Sequence, residues 1–157
     1  MSKQVSGSIQ ISDSIIEHWR RGVGHFNQGL YWEAHQGWEK DWIRLPFPVK
    51  QHVQALIISC GVFCHLKKGR KEPALALCRL AQLRWVEAGP FELWTPGTLP
   101  VLTILGLPAL IHQIQVGLEE RGQQLFTPIV GGLDPWKQSW EAEALHLRAE
   151  LHVKGSQ

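Results

Sequence analysis

The chain has 157 residues, of which 44% are hydrophobic and 19% charged, and its formal charge is +2. That balance suits one compact domain burying about two-thirds of its unfolded surface, and it argues against disorder. The small net charge argues against nucleic acid as a partner, and the longest apolar stretch, Ala55 to Leu66, falls well short of the roughly 20 residues of a membrane span.

Residues 1–11 are small and polar and read as a flexible lead-in, with no apolar core of signal-peptide length. Residues 12–157 read as a single helical domain. Ser12 and Asp13 are N-cap types for a first helix to about Phe26, whose apolar positions Ile15, Ile16, Trp19, Val23 and Phe26 step by three and four. Asn27-Gln28-Gly29 signals a turn. A second helix is predicted from Leu30 to Arg44 and is stopped by Pro46 and Pro48. A third spans Val49 to Lys68, with Gly69 as its stop, and a fourth Pro73 to Ala88. Phe91 to Pro100 and Thr127 to Pro135 read as loops. Helices fit Leu107 to Arg121 and Trp136 to Val153, and no strand pair is predicted. The class is all-α: a compact bundle of about five or six mainly antiparallel helices.

Cys60, Cys64 and Cys78 are an odd count without the spacing of a disulfide framework. They point to a reducing, cytoplasmic compartment, although an organelle stroma would leave the same trace. Cys60 and Cys64 read as core thiols before a zinc pair. Lys67, Lys68, Arg70 and Lys71 read as a solvated helix end before a phosphate site.

The candidate site begins with YWEAHQGWEKDW, residues 31–42. At about 100° per residue, Tyr31, Ala34, His35, Trp38 and Trp42 share one broad face. Glu39 lies at its edge, one turn after His35. Glu33 falls on the far side and is assigned to helix capping. On the third helix Gln54, Ile58, Gly61 and His65 form a stripe, where Gly61 permits close approach and the polar pair needs partners if buried. His52 reads as surface. His35, Glu39, Gln54 and His65 are therefore expected to converge in a polar pocket. His35, Glu39 and His65 are its metal-ligating candidates, for a divalent cation as cofactor.

FNQGLYWEAHQGWEKDW, residues 26–42, resembles the signature F-N-x-G-x-Y-W-E-A-H-E-x-W-E-x-x-W of the small helical family known as domain of unknown function 309. Gln54 to Ile58, ending at His65, resembles the stretch that follows it. The resemblance is specific over residues 26–70 and extends to about residue 88, so 26–88 reads as the family core. It implies an all-helical fold. Some members carry the label of predicted metal-dependent hydrolase. Glu33, His35, Glu39, Gln54 and His65 match signature positions. Gln36, Ala55 and Ile58 depart from them, and the first and last of these remove polar groups a metal would use.

The sequence favours a non-catalytic binding or assembly module built around a buried His/Glu/Gln network, with a protein partner or a second copy of the chain. Its partner surface would lie at Trp94 to Pro100 or around Trp136 and Trp140. The alternative is a metal-dependent hydrolase with its site between the second and third helices.

Overall fold

The apolar steps of three and four become helices, and two glycines turn the first four of them into paired hairpins. The computed structural model describes residues 13–40, 42–90, 101–121 and 135–152. The order is α1 (Asp13–Asn27), α2 (Tyr31–Trp38), a 3-10 turn (Trp42–Arg44), α3 (Val49–Lys67) and α4 (Lys71–Ala88). It continues with β1 (Val101–Ile104), α5 (Leu107–Arg121), α6 (Pro135–His146) and β2 (Ala149–His152). The fold is all-α with one small sheet. The lead-in, the Trp94 to Pro100 segment and the side chain of Trp136 lie outside what is described.

Both hairpins close the same way. Gly29 and Gly69 have φ of 79° and 70°, a conformation that favours glycine. After α1, Gly29 N–H donates to Phe26 O and Leu30 N–H to His25 O, each at 2.9 Å. After α3, Gly69 N–H donates to Leu66 O at 3.0 Å and Arg70 N–H to His65 O at 2.9 Å. These crossed bonds satisfy the last carbonyls of each helix and reverse the chain.

Helix α3 is the centre of the molecule. Val53, Leu56, Cys60, Val62, Phe63 and Leu66 are buried on it, and α4 covers most of one side. Burying a side chain such as Phe63 contributes about 1.5–3 kcal/mol. Phe63 joins an aromatic cluster: Tyr31 at 4.7 Å, Phe26 at 6.4 Å and Trp140 stacked at 5.9 Å. Helices α1 and α2 meet closely. Trp38 Nε1 donates to Trp19 O at 3.1 Å inside the core. Two glycines allow the approach, since a Cβ on Gly22 would lie 2.3 Å from Trp38 Nε1 and one on Gly37 3.0 Å from His18 O.

Four expectations are corrected. The second helix ends at Trp38, not Arg44, so Trp42 leaves the shared face and sits in the 3-10 turn beneath the Lys50 ammonium, 5.7 Å from its ring centre. Gly37, a poor helix former, stands one residue before that end. The last helix stops at His146, and Ala149–His152 pairs antiparallel with Val101–Ile104. Each strand is four residues, too short for alternation to announce it, and pairing between distant segments decides the conformation. The Asn27 side-chain amide fixes the second strand: Ala149 N–H donates to its Oδ1 at 2.7 Å and its Nδ2 donates to Ala149 O at 3.2 Å. His52 is no surface residue: it is partly buried, with its Nε2 2.9 Å from Leu102 O, and so ties α3 to β1. Trp140, offered as an exposed anchor, is 3% exposed and packs on Phe63.

Candidate functional site

The antiparallel connections bring the start of α2 beside the end of α3. Tyr31, buried, packs its ring on Phe63, and Lys67 places its ammonium 5.0 Å over the other part of that contact, the Tyr31 ring centre. The same ammonium reaches Gly29 O at 3.5 Å. Burial pushes the Tyr31 hydroxyl up to about 12, with Cys60, Glu141 and Cys64 adding to the shift, so it stays protonated at neutral pH.

Between these two helix ends lies an open groove of about 230 Å³. Residues Gly29 to Glu33 form one wall, and Cys64, Lys67 and Lys68 form the other. Burial pushes the Cys64 thiol up, against the pull of Lys68 and Lys67. Burial raises Cys60 strongly and takes Cys78 up to about 12, so all three cysteines are neutral thiols at pH 7 and poor nucleophiles. Leu30 and Trp32 flank the groove with 41% and 55% of their surfaces exposed. Leu145, also exposed, lies against Gly29.

The residues singled out from sequence are only partly assembled. His35 stacks on Trp32, with ring centres 5.1 Å apart and an 11° interplanar angle. Its Nδ1 is 3.9 Å from Glu39 Oε1, an ion-pair distance but too long for a hydrogen bond. Glu39 is the C-cap position of α2 and is exposed. His65 is partly buried, and burial, then Arg70 and Lys68, lower its pKa and favour the neutral ring. Gln54 precedes His65 by three helical turns of α3, about 16 Å along the axis. Tyr31 sits by Phe63 and Lys67, so the start of α2 meets the His65 end and Gln54 stands near the other. Gly61 does not open onto a ligand: a Cβ there would lie 2.9 Å from Leu77 Cδ1 of α4. Glu33 occupies the first turn of α2, and the N-cap position is Leu30, which offers no side-chain cap.

A divalent cation needs about three protein donors around one point. Among the described residues no group of three or more His, Cys, Asp or Glu side chains could hold one. One imidazole beside one exposed carboxylate supplies two of the donors a divalent cation needs, and among the described residues His65 does not complete the set. Adjacent lysines, protonated thiols and an exposed indole are suited to recognition.

Sequence reasoning passed over Trp32 and Asn27. A helical wheel carries the signal for the first: with Tyr31, Ala34 and Trp38 facing inward, Trp32 points about 125° away from their mean direction. Asn27 is legible only as a turn residue, and nothing local marks its bonds to Ala149, which is distant in sequence.

Residues 19–77, from the middle of α1 to the first turns of α4, match the model of the family described as Domain of unknown function (DUF309). That span includes both walls of the groove. No curated protein and no solved structure matches the chain.

Proposed function

We propose, from the match of residues 19–77 to the domain of unknown function 309 family, that this chain is a non-catalytic binding module whose contact surface lies between the start of α2 and the end of α3. The observation that carries this reading is the groove. It is formed by Gly29 to Glu33, from the turn into the first residues of α2, and by Cys64, Lys67 and Lys68 at the end of α3. The buried signature residues Tyr31, Ala34 and Trp38 hold α2 in place, and Leu30 and Trp32 are left facing solvent. A tryptophan half in solvent is a suitable anchor for a partner, because a large rigid ring gives contact area at little entropic cost.

His35 has a positioning role in this reading. Its ring lies flat on Trp32 and holds the indole in one orientation. Glu39 then sits beside His35 as an exposed neighbour, in a pair of the kind that contributes at most about 1 kcal/mol.

Metal analysis of the full chain purified without chelator, alongside His35→Ala, tests the reading. Substoichiometric zinc, manganese and iron in both proteins is the expected result. Stoichiometric metal in the wild-type chain that His35→Ala loses would overturn the binding module in favour of the metal-dependent hydrolase.

A further inference from the structure

The groove's size and charge identify the kind of partner that the proposed binding surface would take. We infer that it receives one large apolar side chain from an acidic peptide segment of a partner protein, an inference that rests on the binding-module reading. A volume of about 230 Å³ is below the 300–1,000 Å³ typical of small-molecule and cofactor sites. It has room for one large apolar side chain such as leucine or phenylalanine, and its open side lets the rest of a peptide run across the surface. Tyr31 and the exposed Leu30 and Trp32 supply apolar contact.

The charges select the flanking residues. Lys67 and Lys68 face one carboxylate, Glu33, in the groove, so two cations oppose one anion. None of the three has a partner in ion-pair range among the described residues. Lys67 spends its near contacts on the Tyr31 ring and the Gly29 carbonyl, which fixes its stem across the groove. An acidic residue beside the anchored side chain would meet these ammonium groups, whereas a basic one would be repelled and slowed in its approach. Leu145, beside Gly29, extends the apolar contact in the direction of α6.

The test is selection of a displayed library of random dodecapeptides on the full chain. Enriched sequences are expected to place a large apolar residue next to Asp or Glu. The best of them, as a synthetic labelled peptide in fluorescence anisotropy, should lose at least tenfold in affinity with the Lys67→Glu/Lys68→Glu variant. Trp32→Ala should weaken it by a similar factor. Both lysines are exposed, so the variant should keep the wild-type circular-dichroism spectrum and a single cooperative melt above the assay temperature, although losing the Lys67–Tyr31 contact and placing two anions at the end of α3 lower its Tm, and a folded variant separates loss of binding from loss of fold. Enrichment of basic or uncharged sequences, no enrichment above the charge-reversed variant, or affinity indifferent to charge reversal would each overturn the inference. A failed selection with substoichiometric metal removes the acidic-peptide inference alone. Stoichiometric metal bound through His35 removes the binding-module reading beneath it.

Discussion

Replacing Gly22 with alanine sets two physical effects of opposite sign against each other. In the interior of α1, alanine is better than glycine by about 1 kcal/mol, so propensity alone predicts a stabilised protein. The structure predicts the reverse. A Cβ at position 22 would lie 2.3 Å from Nε1, 2.5 Å from Cδ1 and 2.9 Å from Cε2 of Trp38, a ring that is fully buried and donates to Trp19 O. The indole has to move as a rigid body, since no flexible end is available to give way. Overpacking of this kind costs about 1–3 kcal/mol, and disturbing the buried hydrogen bond adds about 1 kcal/mol. The net expectation is destabilisation by about 2 kcal/mol, or a fall in Tm of roughly 4–8 °C for a chain of this size. Gly24 is the control: no atom lies within 4 Å of its Cβ position, so Gly24→Ala should raise stability by up to about 1 kcal/mol. Thermal and urea unfolding of both variants reads the signs directly. A Gly22→Ala protein as stable as the wild type, or more so, would show that α1 and α2 do not pack at this distance.

Burial lowers His52 from 6.5 to about 4, against a smaller opposing effect of its bond to Leu102 O, so the folded chain keeps it neutral where the unfolded chain protonates it. The unfolded state then binds more protons between those values, and stability should fall by about 2 kcal/mol from pH 7 to pH 5. Urea titrations at the two pH values should show that slope reduced in His52→Gln, and an unchanged slope would refute the assignment. Asn27→Ala removes both bonds to the Ala149 backbone and should cost about 2 kcal/mol. Hydrogen exchange should then quicken across Val101–Ile104 and Ala149–His152, while equal protection in both proteins would mean that the amide does not hold the sheet. Thiol titration with Ellman's reagent at pH 8 should find Cys60 and Cys78 unreactive in the folded chain and Cys64 slower than a free cysteine, with all three reacting after denaturation. A fast native thiol would contradict the burial described.

Local chemistry is enough to read much of this protein. The steps of three and four in α1, the stops at Gly29 and Gly69, and the prolines before α3 depend on neighbours within a few residues, so the helices and their early hairpins are legible in the chain. The resemblance over residues 26–70 is legible for the same reason, and the family match over residues 19–77 agrees with it. Tertiary structure decided what depends on distant partners. Residues Ala149–His152 continue a helical pattern, yet they become a strand because Val101–Ile104 and the Asn27 amide offer their backbone groups better partners. His52 looks like a surface residue until β1 supplies the Leu102 carbonyl. The stripe from Gln54 to His65 is real on a helical wheel. A wheel has no axial dimension, however, and three turns of rise keep Gln54 from the end of α3 where α2 begins. The sequence by itself determined the apolar faces of α1 and of Tyr31, Ala34 and Trp38 on α2, because these depend only on spacing along one helix. Only packing determined that α2 stops at Trp38, that its start meets the end of α3, and that a groove is left there beside two lysines, because these depend on neighbours far along the chain.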